Sequence, residues 1–317
     1  MKRENRKQLL ADISTLYYKE KETQAQIANR FGYSRSAISR LLIEAEQEGI
    51  IDININYPLV REGELERSLK EKYRLGAAYV ISTGQATDLQ ALQMVGQMGA
   101  LLLEQELHNE MVVGVGWGTS LHALVNALPD LNLSSIQVIQ VIGALGSKSD
   151  ARIDGPDLAA SLAGKLNADH QFLHSPCFLD SPNACLSMRS QKQIRDTLNL
   201  AYQADLILLG IGTIDVDPQF SSLYRTGLLS QAEILKIQKK GGVSNFCGVM
   251  IGENGEILDM DINRRVLAVD LNELKKSKRR MIGVASGERK SEAIRAVLKG
   301  GWLDVLVTDQ TAVNSII

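Results

Sequence analysis

The sequence GVGWGTS, residues 114–120, combines residue types that can bind an anion. The apolar run before it predicts a strand, and Gly116 and Gly118 predict a turn without bulky side chains. Thr119 and Ser120 then begin a predicted helix. Backbone N–H groups, hydroxyls and the positive end of the helix dipole would favour a phosphate there. The residues predicted to hold it are Gly116, Trp117, Gly118, Thr119 and Ser120.

This segment does not match the usual nucleotide fingerprints. A Walker loop requires the spacing GxxxxGK[ST], and a dinucleotide fold requires an acidic residue about twenty positions later. A tight turn with a purely structural role is therefore the alternative to a phosphate site.

Glycines also follow three other predicted strands, at Gly143, at Gly212 and at Gly287. In an open parallel sheet, ligands bind where the carboxyl ends of the strands meet. One such glycine is weak support because turns often require glycine, but four strand ends with glycine favour a shared site. We expect Gly143 and Gly212 to line it.

Lys290 lies just after the predicted strand that ends at Gly287 and near the start of a predicted helix. Both belong to the segment GVASGERKSEAIRAVLKGG (283–301). A lysine at that position can bind a second oxygen of the same phosphate. The alternative is a solvated lysine in the charge-rich run 288–292.

Residues typical of catalytic and metal sites lack the required spacing. The four histidines show no HExxH or HxH pattern, the three cysteines form no CxxC pair, and no GxSxG is present. Asp215 and Asp217 could form an acid–base pair, although acidic residues in a polar loop are usually only solvated. No metal, cofactor or catalytic set is therefore expected.

The stretch TQAQIANRFGYSRSAISRLL, residues 23–42, predicts two short helices joined by a turn. Thr23 can cap the first of them with Gln26 in a capping box, and Gly32 can end it. Ser34 can cap the second. An amphipathic helix is predicted before them over residues 5–20.

Residues 1–40 carry nine basic residues against four acidic ones, although the whole chain has a net charge of −2. Contact with nucleic acid should therefore be local to this region. The third helix would enter the major groove, and the predicted DNA-binding residues are Tyr33, Ser34, Arg35, Ser36, Ser39 and Arg40. For either arginine, contact with a DNA phosphate is better supported than contact with a base. A helix-turn-helix that contacts protein instead is the alternative.

Beyond this region, apolar runs alternate with helix-like segments, which predicts an α/β fold with a mostly parallel sheet. The runs lie at 77–82, 110–118, 136–146, 204–212, 279–287 and 303–309. The helix-like segments between them lie at 88–107, 119–128, 157–166 and 291–298.

The organisation predicted for the 317 residues is a helix-turn-helix domain at 1–57, a linker helix at 58–75 and an effector domain at 76–317. The alternation of Ile51, Ile53 and Ile55 with polar residues indicates a half-buried strand or wing. Leu65 and Leu69 lie four apart in the linker helix, where they could pair with a second subunit. A solvated linker without a partner is nearly as well supported.

The composition matches a soluble cytoplasmic protein, with 44% apolar and 23% charged residues. No apolar run approaches the length needed to span a bilayer. Membrane insertion and secretion are therefore not expected.

With these segments in view, the chain resembles the SorC family of sugar-binding bacterial transcription regulators. The segments that carry the resemblance are LYYKEKETQAQIANRFGYSRSAISRLLIEAEQEGII (16–51) and SGERKSEAIRAVLKGGWLDVLVTDQTA (286–312). The resemblance implies a Rossmann-like effector domain of the ribose-phosphate isomerase and CoA-transferase-like group. It also implies a phosphorylated sugar effector, bound at Gly116–Ser120 and Lys290, and a tetramer acting on operons for carbohydrate uptake or breakdown.

One position departs from the family pattern. Where members commonly have G-D-[IL]-x-G, this chain has Ser244-Asn245-Phe246-Cys247-Gly248, so Asn245 replaces the acidic residue that would face a sugar hydroxyl. An amide can donate as well as accept, which implies a shifted sugar preference. The alternative to a regulator is a sugar-phosphate isomerase or deaminase with an added N-terminal domain.

Overall fold

The computed structural model describes residues 2–51, 56–146, 151–219, 221–277 and 279–317. It divides the chain into two compact units, Met1–Ile55 and Asn56–Ile317. Most of the strand predicted from Ile51, Ile53 and Ile55 lies outside the described residues. None of the helices in those ranges is both long and apolar enough to cross a bilayer.

The described part of the smaller unit contains α1 (Lys2–Ser14), a π-helical turn (Thr15–Lys19), α2 (Gln24–Phe31) and α3 (Arg35–Gln47). The apolar residues at helical spacing point inward and form one core, as the amphipathic pattern predicts. The buried members are Leu10, Ile13, Leu16, Ile27, Ala28, Ile38, Leu41, Leu42 and Ala45.

The predicted caps of α2 and α3 are confirmed. Thr23 Oγ1 accepts a hydrogen bond from the Gln26 backbone N–H, and Gln26 Oε1 accepts one from the Thr23 N–H at 2.8 Å. Gly32 takes the left-handed conformation with φ of 71°, which reverses the chain after α2. Ser34 Oγ then accepts from the N–H of Ala37 at 3.2 Å. Local sequence therefore fixes where both helices begin and end.

The larger unit is a mixed α/β structure. Its strands are β1 (Val60–Arg61), β2 (Ala77–Ser82), β3 (Val112–Val115), β4 (Gln137–Gln140), β5 (Asp169–Gln171), β6 (Leu206–Thr213), β7 (Gly242–Phe246), β8 (Val249–Gly252), β9 (Arg280–Val284) and β10 (Val305–Asp309). Its helices are α4 (Gly63–Tyr73), α5 (Asp88–Glu106), α6 (Thr119–Ala127), α7 (Gly155–Leu166), α8 (Pro182–Ser190), α9 (Lys192–Ala201), α10 (Ser222–Arg225), α11 (Gln231–Lys239), α12 (Asp261–Arg264), α13 (Leu271–Ser277), α14 (Ser291–Lys299) and α15 (Gln310–Val313). Each of the six apolar runs contains a strand, and each of the four helix-like segments contains a helix, as predicted.

The main sheet has the strand order β1-β2-β10-β9-β6-β3-β4-β5. Neighbouring strands from β2 to β5 in that order are parallel, and β1 is antiparallel to β2. From β3 the chain moves outward through β4 to β5, and it then returns to the other side of β3 at β6. The order therefore reverses between β3 and β6, which opens a crevice at their carboxyl ends.

Apolar side chains cover both faces of the sheet. On β6, Leu206 and Leu208 pack in one core cluster, whereas Ile207 and Leu209 pack in the other. Successive side chains of a strand point to opposite faces, so a strand covered on both sides is apolar throughout. This explains why the central runs of the sequence show no polar alternation.

The helix predicted as a linker, α4, packs against the sheet of its own unit. Leu69 is fully buried in the main core, and Leu65 packs against the same core. Glu66 anchors the helix, because its Oε1 accepts from the N–H of Val80 at 3.0 Å and its Oε2 lies 2.6 Å from Nη2 of Arg61. Leu69 is therefore covered by its own chain, which corrects the expectation that it could pair with a second subunit, whereas Leu65 is covered only in part.

The hairpin β7–β8 has no clear sequence pattern that predicts it. It is antiparallel to the end of β6, where Asn245 pairs with Gly212. Its two-residue turn consists of Cys247 and Gly248, both with positive φ, at 51° and 78°. A turn of this type matches the right-handed twist of a hairpin. The hairpin brings Asn245 to the carboxyl end of the parallel sheet.

Candidate functional site

A cavity of about 350 Å³ lies at the carboxyl ends of β3, β6 and β9, at the strand-order reversal. Its size is in the range of small-molecule sites in proteins. Of the residues predicted to bind an effector, it is lined by Gly116, Trp117, Gly118, Thr119, Ser120, Gly212, Asn245 and Lys290. The fold therefore brings together four segments that are far apart in the sequence.

The loop after β3 places the start of α6 at the cavity wall. Gly118 has φ of 127°, and its N–H donates to the carbonyl oxygen of Ile153 at 2.9 Å, which fixes the turn. The first N–H groups of a helix have no acceptor within the helix. At Thr119 and Ser120 they lie at the cavity together with two hydroxyls. This end of the cavity is suited to an anion.

Lys290 approaches the same loop from the turn after β9. Its Nζ lies 3.4 Å from Oγ of Ser120. Loss of hydration in the cavity lowers the pKa of Lys290 to about 8, although the carboxylate of Asp309 acts in the opposite direction. The ammonium is therefore still mostly protonated at neutral pH, and it adds positive charge to the start of α6.

Asp309, the last residue of β10, holds the turn that carries Lys290. Its Oδ2 accepts from the N–H of Gly287 at 2.7 Å, and Gly287 has φ of 98°. Its Oδ1 accepts from the N–H groups of Thr311 and Ala312 at 2.9 and 3.1 Å. Asp309 is completely buried, so these hydrogen bonds compensate for its lost hydration. An aspartate at the end of a predicted strand is the sequence signal that could have indicated this positioning role.

Asn245 lines the cavity from β7. The residue is 4% exposed, and no residue in the described part of the chain hydrogen-bonds its Nδ2 atom. Buried polar groups in folded proteins are nearly always hydrogen-bonded. This amide is therefore available to a molecule in the cavity.

Gly143 is not among the described residues that line the cavity. A Cβ atom at this position would lie 2.4 Å from the carbonyl oxygen of Pro176, so glycine is required there by packing. Asp215 and Asp217 also lie outside the lining. Their carboxylates accept from the backbone N–H groups of Asp217 and Gln219, which is typical of turn-forming residues.

The cavity also includes residues that sequence reasoning missed. The segment after β6 contributes Gln219, Ser222, Leu223 and Arg225, and the start of α5 contributes Asp88 and Leu92. No sequence motif marks these residues. They reach the cavity because of the path that the chain takes between β6 and β7 and because of the position of α5 in the fold.

In the smaller unit, the predicted DNA-binding residues lie at and around the start of α3. Tyr33, Arg35, Ser36 and Arg40 are exposed, and Ser39 is half-buried. Within the described ranges, Arg35 and Arg40 form no ion pair, whereas Arg6 pairs with Glu44 and Arg30 with Glu22. Hydrogen bonding to Arg6 lowers the pKa of Glu44. Arg35 and Arg40 therefore present unpaired positive charge on α3, in addition to the exposed Lys7, Lys19 and Lys21 elsewhere in this unit.

Comparison with known proteins shows the family to which this chain belongs. The Sugar-bind family model, described as "Putative sugar-binding domain", matches residues 57–317. The chain belongs to the SorC family. A curated relative from Klebsiella pneumoniae, the sorbitol operon regulator, is 29% identical over 305 residues, 95% of each chain. The deoxyribonucleoside regulator of Bacillus subtilis is 26% identical over 312 residues, 98% of each chain.

The crystal structure of the full-length sorbitol operon regulator SorC from Klebsiella pneumoniae matches the structure of this chain with a TM-score of 0.72 at 28% identity, over 96% of this chain and 97% of that one. Members of the SorC family that resemble this chain are transcriptional regulators. The chain is accordingly a sugar-binding transcriptional regulator and not an enzyme, which confirms the family and the function predicted from its motifs.

Proposed function

We propose that the protein binds operator DNA through the start of α3, and that a phosphorylated sugar in the cavity controls this binding. The regulated operon would serve carbohydrate uptake or breakdown in the cytoplasm. In this proposal the smaller unit is a helix-turn-helix domain, and the larger unit is a Rossmann-like effector domain that includes α4. The functions of the two curated relatives, a sorbitol operon regulator and a deoxyribonucleoside regulator, support a sugar-related effector.

The observation that carries the effector proposal is the pairing of Lys290 with the first turn of α6. An ammonium with a lowered pKa, two hydroxyls and free helix N–H groups converge on one end of the cavity. A phosphate bound there would restore to Lys290 the favourable electrostatics that it loses with its hydration. A neutral sugar would leave this charge uncompensated, so the phosphorylated form is the better fit.

The DNA proposal depends on the exposed arginines and hydroxyls of α3. Arg35 and Arg40 would bind phosphates, and Ser36 and Ser39 lie on the same helix within reach of base edges. Tyr33 and Ser34 would lie near the backbone at the helix start. One such unit makes few contacts, so we propose a homo-oligomer, a tetramer by resemblance, with contacts that do not involve the buried Leu69.

The sugar phosphate would act by binding one arrangement of the DNA-binding units more tightly than another, since a ligand shifts an equilibrium only by its difference in affinity for the two states. Such control couples effector binding and DNA binding within one chain.

The test compares Lys290→Ala with Lys299→Ala, a matched change at an exposed lysine at the end of α14. Operator fragments selected from genomic DNA are titrated with and without candidate sugar phosphates. We expect Lys290→Ala to weaken the effector response about tenfold or more, by loss of a charged hydrogen bond, while binding to DNA without effector is unchanged. Lys299→Ala should behave as the original protein. An undiminished response in Lys290→Ala would remove the lysine from the site.

A further inference from the structure

Helix α5 contacts both the cavity and the chain that connects the two compact units. At its start, Asp88 and Leu92 line the cavity. Gln97 lies about 7.5 Å beyond Leu92 along the helix axis, and it holds Tyr57. Tyr57 follows Ile55, the last residue of the smaller unit, by two positions. A movement of α5 can therefore reach the chain that leads to the smaller unit.

Gln97 binds the backbone of Tyr57 through both ends of its amide. Its Oε1 accepts from the N–H of Tyr57 at 2.9 Å, and its Nε2 donates to the carbonyl oxygen of Tyr57 at 3.1 Å. The hydroxyl of Tyr57 donates to Oε1 of Gln93 at 3.3 Å, one helical turn before Gln97. An amide can donate and accept at once in this way, whereas a carboxylate only accepts. Tyr57, Gln93 and Gln97 together form what we call the Tyr57 clamp.

Close packing links α5 to α6, the helix whose first turn is the proposed phosphate site. Where the two helices meet, α5 has glycine at positions 96 and 99. A Cβ atom at Gly96 would lie 2.5 Å from the carbonyl carbon of Ala123, and one at Gly99 would lie 2.7 Å from Cδ1 of Leu124. Elements packed this closely transmit displacement, because a protein interior has low compressibility. A shift of α6 therefore moves α5 with it.

We propose that the Tyr57 clamp transmits effector binding to the connecting chain, and that Gln97 is the positioning residue that couples the two functions. Phosphate bound at the start of α6 shifts this helix, α5 follows, and the clamp carries the backbone of Tyr57 in the same direction. This inference rests on the proposed function, because it takes effector and DNA to bind different units. It adds the contact through which one binding event influences the other.

The test measures the coupling in the full-length protein, defined as the factor by which a saturating effector changes the dissociation constant of a selected operator. The probes are sorbitol 6-phosphate, fructose 6-phosphate and deoxyribose 5-phosphate, and the one with the largest effect is used for all variants. Coupling factors in allosteric proteins are typically about 5 to 150. Gln97→Met keeps the length of the side chain and removes both hydrogen bonds, so we expect it to reduce the factor at least about threefold.

Gln105→Met is the matched control, since it makes the same change at an exposed position of the same helix. Its coupling factor should equal that of the original protein. A loss of coupling in Gln105→Met as large as that in Gln97→Met would overturn the role of the clamp.

The effector affinity provides a readout that a purely structural role of Gln97 would not move. By linkage, the operator changes the effector affinity by the same factor, so this factor should shrink equally in Gln97→Met. Without DNA, the effector affinity should stay within about twofold of the original, because Gln97 is not among the described residues that line the cavity. A lower melting temperature with unchanged coupling would show a structural clamp and contradict the inference.

Tyr57→Phe provides a second, milder variant, since it removes only the hydroxyl that binds Gln93. We expect its coupling factor to fall by about twofold, less than in Gln97→Met. If Gln97→Met does not fold, Tyr57→Phe decides alone, and unchanged coupling in it refutes the inference.

Failure of this inference is distinguishable from failure of the proposed function. If the original protein responds to a probe and both clamp variants respond equally, the inference fails alone. If none of the probes changes operator binding by the original protein, both proposals fail. If Gln97→Met loses effector affinity to the same extent as coupling, Gln97 belongs to the binding site and is not a positioning residue.

Discussion

At the scale of single residues, the proposed site is defined by groups whose hydration or hydrogen bonding is incomplete. Lys290 has a pKa of about 8 because the cavity removes water from its ammonium, and Asn245 has a buried NH₂ without a partner in the described ranges. Asp309 has the opposite character, since it is fully buried but accepts several hydrogen bonds. We infer that the incompletely satisfied residues contact the effector and that the satisfied one positions them.

The lowered pKa of Lys290 predicts a pH-dependent effector affinity. Below about pH 8 the ammonium is protonated in the free protein, and above it the lysine becomes neutral. A sugar phosphate is already a dianion at pH 7, so its own charge changes little in this range. Affinity should therefore fall as the pH rises from 7 to 9, by several-fold, as measured by titration calorimetry.

The control for this profile is Lys290→Met, which keeps the length of the side chain but carries no charge. Its affinity should be low and nearly independent of pH between 7 and 9. A variant that retains the original pH profile would assign the titration to a different group.

At the scale of secondary-structure elements, α3 combines a locally determined start with an exposed basic face. Ser34 caps it, Gly32 turns the chain before it, and its buried face fills the small core. The ion pairs of Arg6 with Glu44 and of Arg30 with Glu22 reduce the charge that these two arginines present to an approaching polyanion. Within the described ranges, Arg35 and Arg40 are the arginines of this unit without an ion pair, and both lie on α3. DNA binding should therefore depend more on Arg35 and Arg40 than on the paired arginines of the same unit.

Arginine-to-alanine changes test whether the arginines of α3 contribute more to DNA binding than a paired arginine does. We expect Arg35→Ala and Arg40→Ala each to weaken operator binding about tenfold and to reduce the slope of log affinity against log salt by about one. Arg30→Ala, which removes an arginine already paired with Glu22, should have a smaller effect. The measurement is fluorescence anisotropy with a selected operator between 50 and 200 mM salt. Equal losses in all three variants would contradict the special role of α3.

At the scale of the whole molecule, sensing and DNA binding are assigned to separate compact units. The cavity and every residue that lines it belong to the unit Asn56–Ile317, which has two core clusters of its own. The family model begins at residue 57, one residue after the start of this unit. The sheet and both core clusters should therefore form without residues 1–55.

A fragment of residues 56–317 should fold and bind the effector without binding DNA. We expect a thermal shift with a responsive sugar phosphate similar to that of the full chain, because ligand binding to the folded state alone stabilises it. Operator binding should be lost. A fragment that unfolds, or that no longer binds the effector, would show that the smaller unit supports the sensing unit.

The sequence by itself determined the features that depend on neighbouring residues. The capping box at Thr23, the left-handed turn at Gly32 and the helix start at Ser34 follow from local hydrogen bonding and steric freedom. Six strands of the main sheet followed from apolar runs, because strands covered on both faces are apolar throughout. The turns that bring Gly116–Ser120 and Lys290 to the cavity also followed, since each depends on one strand–turn–helix unit, and anion binding by these residues stays a prediction.

Only the tertiary structure decided how these units combine. Whether Gly143 or Gly212 reaches the cavity depends on strand order and on the packing of Pro176, which no local pattern encodes. The hairpin that carries Asn245 pairs with the end of β6, and α4 packs on its own sheet instead of extending as a linker. The physical reason is that contacts between distant segments depend on the burial of whole faces, whereas the sequence specifies each face but not its partner.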